Sequence, residues 1–212
     1  DLHLSLRRQR QMCIRDSSHY INGPKDIERL HRVRALADAV VVGANTVELD
    51  NPSLTVRKAQ GTNPVRVVLD PRGRLADTYS IFTDDEAPTL WMQSIEATAK
   101  NEHKKLRDGL QIVPLQEGFK GFPPAAVIDE LRNRGLNRIL IEGGGLTVSQ
   151  FLAEDLLDRL HISVAALLIG SGKAGITLPE VQTLDGIRRP KVRHFQLGSD
   201  LLFDLDLRSE TA

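Results

Sequence analysis

A chain of 212 residues with 41% hydrophobic and 26% charged residues has enough apolar side chains for a packed core, and its composition argues against disorder. Lys plus Arg and Asp plus Glu each number 28, so the net charge of zero offers no footprint for a polyanion, and no apolar run reaches the ~18 residues of a membrane span; neither nucleic acid nor a membrane is an expected partner. The lone cysteine, Cys13, excludes an intramolecular disulfide and a cysteine-rich zinc site, and fits the reducing cytoplasm.

Residues 1–17, DLHLSLRRQRQMCIRDS, carry neither a period of 2 nor one of 3.6 and lack the apolar core of a secretory signal. They read as a segment foreign to the domain or as a natural disordered tail, and the domain is expected to run as a single unit over 18–212. From Asn22 a helix is predicted. Pro24 stands at the first helical position, where its missing N–H is harmless, and Asp26 and Glu28 complement the helix N-terminus. Ile27, Leu30, Val33 and Ala37 form its apolar stripe, and at ~100° per residue Arg34 projects into that stripe. An arginine there needs an anion, either an internal acid or a ligand, or must snorkel to water.

The run Ala39–Val42, broken by Gly43, reads as a buried strand, followed by a polar segment with Asn45, Thr46 and Asp50. Further strands are predicted at Val65–Leu69, Thr89–Met92, Leu110–Leu115, Arg138–Glu142 and Asp158–Ile169. Helices are expected over Ile95–Leu106, from Pro123-Pro124 through Arg134, and over Leu146–Ala153, with Gly135 closing the second. Residues Ala76–Phe82 read as irregular and Gly170–Gly175 as a loop. Leu201, Phe203, Leu205 and Leu207 alternate with Asp204, Asp206 and Arg208 after a turn at Gly198-Ser199-Asp200, the pattern of an antiparallel hairpin with one wet face. Strands alternating with helices and finished by a hairpin make a mixed, mostly parallel α/β sheet flanked by helices.

Ligands of open α/β sheets bind beyond the carboxyl ends of the strands. Two stretches occupy that place. Glu142-Gly143-Gly144-Gly145 joins a strand to a helix, as a phosphate-cradling loop or simply as a tight turn. Glu142 can accept hydrogen bonds from a heterocycle or pair with Arg34 or Arg57. In the other stretch, Asn45 and Thr46 can bond a cofactor, Asp50 can cap a turn, and Arg57 can take a phosphate or be plain surface charge. His3, His19, His31, His103, His161 and His194 show no metal-ligand spacing and read as surface or core-edge residues, so no metal is expected.

Three stretches resemble the reductase domain of riboflavin biosynthesis, the C-terminal half of a bifunctional deaminase-reductase also found free-standing. They are SHYINGPKDIERLHRVRALADAVVVGANTVELDNPSLTVR, NPVRVVLDPRGRL and RILIEGGGLTVSQFLAEDLLDRLHISVAALLIGSG. The paired motifs G-x-x-T-x-x-x-D-x-P-x-L-T-x-R and E-G-G carry the resemblance. It implies a dihydrofolate-reductase-like fold, a homodimer, and NADPH-dependent reduction of 5-amino-6-(5-phosphoribosylamino)uracil to its ribitylamino product. Reduction of the related 2,5-diaminopyrimidinone or a pteridine, or a non-catalytic nucleotide-binding relative, are the alternatives. Matched motif to motif, Tyr20, Thr46, Asp50 and the run Gly144, Gly145, Leu146, Thr147, Val148, Ser149 and Gln150 correspond to cofactor contacts. Ser18, Arg34, Leu54, Arg57 and Glu142 correspond to contacts with the phosphorylated ribosylaminopyrimidine, which implies that Arg34 faces a phosphate rather than an internal acid. The family's opening strand, with a lysine and an S-L-D-G turn, has no counterpart before Ser18, and no residue is assigned as proton donor. The zinc motif of a deaminase, H-x-E with P-C-x-x-C, is absent from these residues.

Overall fold

Ala39-Val40-Val41-Val42 is solvent-free at every position, and this β-branched run forms a parallel strand covered on both faces. The computed structural model describes residues 12–14, 17–19, 21–101, 105–168, 175–180, 182–183 and 187–208. Its elements begin with β1 (Met12–Ile14) and β2 (Ser17–His19), then α1 (Pro24–Leu36), β3 (Ala39–Gly43), α2 (Ala44–Asp50), β4 (Val65–Leu69) and α3 (Ser80–Thr83). There follow β5 (Thr89–Ser94), α4 (Ile95–Asn101), β6 (Leu110–Leu115), α5 (Pro124–Asn133), β7 (Ile139–Ile141) and α6 (Gly145–Ala153). The described chain closes with β8 (Arg159–Val164), β9 (Lys191–Leu197) and β10 (Asp200–Asp206).

Five strands make an all-parallel sheet in the order β6-β5-β4-β3-β7, with Val41 opposite both Val67 and Ile141. Its two faces bury separate cores. One packs Val41, Val67, Met92 and Val113 against Val127 and Leu131 of α5 and Phe151 of α6. The other packs Val40, Val42, Val68 and Trp91 against Val47 of α2 and Ile81 and Phe82 at α3. The mixed α/β character is divided between sheets, because the C-terminal hairpin joins β8 in a separate antiparallel sheet ordered β8-β10-β9.

Several expectations are revised. The polar segment after Gly43 is helical over Ala44–Asp50, and the stretch read as irregular ends in α3. The helix from Ile95 is described as far as Asn101 and does not include Lys105 or Leu106, and β8 stops at Val164; the loop expected at 170–175 lies outside the described residues except for Gly175. The buried face of α1 runs through Asp26, Ile27, His31 and Arg34 rather than along Leu30, Val33 and Ala37. The polar side chains turn inward because partners wait there. β10 also departs from the wet-face pattern, since Asp200, Leu202 and Asp204 are its buried positions. Asp204 tolerates burial because Arg159 and Arg193 of the flanking strands meet it at 2.8 and 2.6 Å, with His161 at 3.4 Å.

Candidate active site

A cavity of about 800 Å³ opens at the carboxyl ends of β3 and β7 and extends between β7 and β8. Among the described residues β7 pairs only with β3, and β8 only with β10, so the unpaired edges of both sheets border it. Its floor and walls bring together α1, α2, the segment after α2, the glycine loop and β8.

On one side stand Thr46 and the loop after β7. Thr46 Oγ1 is buried and has no hydrogen-bond partner among the described residues. Gly143, at φ +97°, passes so close that a Cβ on it would lie 3.1 Å from Thr46 Cγ2; only a glycine combines that backbone with that approach. Gly144, also at positive φ, precedes α6, and no side chain caps the helix. The first backbone amides of α6 therefore point outward without intrahelical acceptors. An unpartnered buried hydroxyl beside an uncapped nine-residue helix approached through glycines is a donor set suited to the phosphates and amide of a nicotinamide cofactor.

On the other side the carboxylate of Glu142 receives the Arg34 guanidinium in a bidentate pair, Nε to Oε1 at 2.8 Å and Nη2 to Oε2 at 2.5 Å. Arg34 Nη1 also donates to the carbonyl of Thr55 at 3.1 Å. Arg34 thus meets an internal acid and a main-chain oxygen, which corrects the expectation that it faces a phosphate in place of an acid. Leu54, 3% exposed, holds a left-handed backbone at φ +54°, an uncommon state for a branched residue. Arg57 lines the cavity, is exposed, and makes no ion pair among the described residues.

The remaining matched positions divide. Asp50 and Val148 line the cavity with Thr46, Gly144 and Gly145. Leu146, Thr147, Ser149 and Gln150 do not: Leu146 is exposed, Thr147 packs on Gly43, Ser149 bonds Gly145 O and the Thr177 amide, and Gln150 donates to Lys120 O. Leu146 and Thr147 lie in the first turn of α6, whose main-chain amides lack intrahelical acceptors. The backbone of Ser18 lies in β2, and Tyr20 lies outside the described residues.

Sequence reasoning missed other cavity residues. His31 is 2% exposed, and its Nδ1 accepts the Arg57 amide at 3.1 Å. Burial, and then the charges of Arg34 and Arg57, hold its imidazole below the ordinary histidine pKa, against weaker opposing effects of the Thr55 backbone and Glu142. The signal available was its place four residues after Ile27 on the helix's inner face. Ser163 Oγ on β8 is another buried hydroxyl with no partner among the described residues. Asp26, read as a helix-end charge, is buried and bonds Asn22 and Arg29 at 2.5 and 2.7 Å.

The family profile described as the RibD C-terminal domain matches residues 13–203. The chain is 31% identical over 198 residues to the 2,5-diamino-6-ribosylamino-4(3H)-pyrimidinone 5′-phosphate reductase of Methanothermobacter thermautotrophicus, covering 90% of this chain and 89% of that protein. It is 30% identical over 190 residues to the riboflavin biosynthesis protein RibD of Aquifex aeolicus, covering 88% of this chain and 51% of that one. Among solved structures it resembles a diaminohydroxyphosphoribosylaminopyrimidine deaminase/5-amino-6-(5-phosphoribosylamino)uracil reductase from Thermotoga maritima, at a TM-score of 0.72 and 25% identity, covering 91% of this chain and 51% of that chain. The chain therefore spans about half the length of these last two proteins.

Proposed function

We propose, because the chain belongs to the RibD C-terminal domain family, that it reduces a phosphorylated ribosylaminopyrimidine with NADPH. It is an oxidoreductase of riboflavin biosynthesis: one relative is named a 5′-phosphate reductase and another a riboflavin biosynthesis protein. The favoured substrate is 5-amino-6-(5-phosphoribosylamino)uracil, the compound named for the Thermotoga protein. The 2,5-diamino-6-ribosylamino-4(3H)-pyrimidinone 5′-phosphate is a second reading, supported by several relatives named for it.

The observation that carries the reading is the two-sidedness of one cavity. Thr46 Oγ1, Asp50 and the main chain of Gly143–Thr147 would hold the cofactor, and Arg57, Leu54 and the Arg34–Glu142 pair border the substrate. A bound nicotinamide cofactor would supply the hydride for C1′ of the opened ribose. The chain's own part is orientation and electrostatics: Arg57 offers a forked cation to the ribose phosphate, and Leu54 covers the apolar edge of the ligand. Glu142, held by Arg34, keeps lone-pair capacity for donors of the pyrimidine. A homodimer in the cytoplasm belongs to the same proposal.

The test is NADPH oxidation by the purified chain with each pyrimidine. Turnover of the uracil compound with negligible turnover of the diamino compound supports the first reading, and the reverse preference supports the second. Cofactor binding with no turnover of either makes the chain a non-catalytic nucleotide-binding relative.

A further inference from the structure

The segment Pro52–Arg57 belongs to no helix or strand, so side chains from elsewhere fix its path. Arg66, solvent-free in β4, donates to Ser53 O at 3.2 Å from one side. Arg34 donates to Thr55 O at 3.1 Å from the other. Asn63 Oδ1 accepts the Val56 amide at 2.7 Å. The last hold, at the residue that would meet the substrate phosphate, is His31 Nδ1 on the Arg57 amide.

We infer that His31 is the positioning residue for Arg57, transmitting the placement of α1 to the arginine that receives the phosphate. His31 touches neither ligand in this role; it acts through the Arg57 main chain. The inference rests on the phosphate-binding reading of Arg57 given above. The chemistry is specific about the imidazole. An acceptor at Nδ1 requires the neutral ring with its proton on Nε2, because a protonated ring would present two N–H groups and no acceptor. The rest of α1 is anchored independently of His31. Asp200 accepts the Gly23 amide at 2.5 Å before the first turn, and the Glu142 pair holds Arg34 near the last. The helix therefore stays in place when the imidazole is changed, and what is lost is the tie to Arg57.

The experiment compares the wild-type chain with His31→Leu, which removes the acceptor, and His31→Asn, whose Oδ1 lies close to where Nδ1 was. For the phosphoribosylaminouracil, the leucine variant is expected to raise KM roughly five- to tenfold, the worth of one hydrogen bond, with kcat and the NADPH Kd little changed. The asparagine variant should restore KM to near the wild-type value. An unchanged KM in the leucine variant overturns the inference. So does a parallel loss of kcat and cofactor binding that asparagine fails to rescue, because that pattern marks general damage. Two readouts stand apart from turnover. The ¹⁵N spectrum of His31 should show the Nε2–H tautomer at neutral pH, and the Nδ1–H tautomer would overturn the assignment. Calorimetric binding of ribose 5-phosphate should weaken in the leucine variant and recover in the asparagine variant, and equal affinities in all three proteins would also overturn it. A wild-type chain that binds ribose 5-phosphate in this way but reduces neither pyrimidine sinks the proposed reaction and leaves the His31 assignment standing.

Discussion

Arg34 and Glu142, 108 residues apart, meet through the Nε–Nη2 edge of the guanidinium and both carboxylate oxygens, with their side chains only 10% and 15% exposed. Each is the other's neutraliser in a setting where a lone charge is costly. Removing one partner, as in Arg34→Ala or Glu142→Ala, should lower unfolding stability by roughly 3 kcal/mol or more, read as a shift in urea midpoint at unchanged slope. The double variant should lose less than the sum of the two, because neither charge is then stranded. Arg34→Lys should behave more like a loss than a conservative change, since an ammonium cannot serve both carboxylate oxygens and Thr55 O in the same fork geometry. Strict additivity would mean that the pair is not the coupled unit seen here.

Thr46 gives the opposite prediction. Its hydroxyl is buried and has no partner among the described residues, so Thr46→Val removes no internal hydrogen bond. Folding stability should hold or rise slightly, while the NADPH Kd rises about tenfold through loss of one hydrogen bond to the ligand. A variant that loses stability but keeps its cofactor affinity would place the hydroxyl's role inside the protein.

On the proposed phosphate-binding role of Arg57, Arg57→Ala should raise KM for the phosphorylated substrate far more than it weakens NADPH binding; the guanidinium supports no ion pair among the described residues. Stability should change little for the same reason. Equal losses of substrate and cofactor affinity would remove the phosphate role.

His31 also gives a pH signature. Its folded-state pKa lies below the ordinary value of 6.5, chiefly through burial. Arg34 on its own helix and Arg57 on the facing segment also lower it, and Glu142 beyond β7 opposes them. Between the lowered pKa and 6.5 the unfolded chain binds the proton and the folded chain does not, so stability falls as pH drops through that window and is fully present above it. His161, lowered by burial and then by Arg29, adds a slope of the same sign. Urea midpoints measured from neutral to mildly acid pH should therefore fall less steeply for His31→Asn than for wild type. Parallel slopes would mean that His31 is not held neutral in the fold.

The central parallel strands β3 and β4 were legible because their β-branched runs are buried on both faces and need no partner to be recognised. Val65–Leu69 forms as read, and so does Leu110–Leu115, an edge strand whose Gln111 and Pro114 are exposed. The helix at Pro24 was legible from its start signals, and Arg34 was recognisable as an arginine needing an anion. By contrast, α2 escaped notice because Asn, Thr and Asp are weak helix formers, and tertiary contacts of Ala44 and Val47 override them. The buried carboxylates of β10 were hidden for a related reason. An alternating pattern shows which residues share a face, and the cations that make that face a place for Asp204 come from β8 and β9.

What the sequence by itself determined is the set of parts: a parallel α/β framework, a glycine loop after a carboxylate, and two arginines on the ligand side, all encoded in local periodicity and turn chemistry. What only the tertiary structure decided is how those parts are paired. Of the two arginines, Arg34 meets Glu142, while Arg57 is left without an ion pair among the described residues and tied by its backbone to His31. The cost of a buried charge depends on what lies within a few ångströms of it, and for Arg34 that neighbour is brought in by the pairing of β3 with β7.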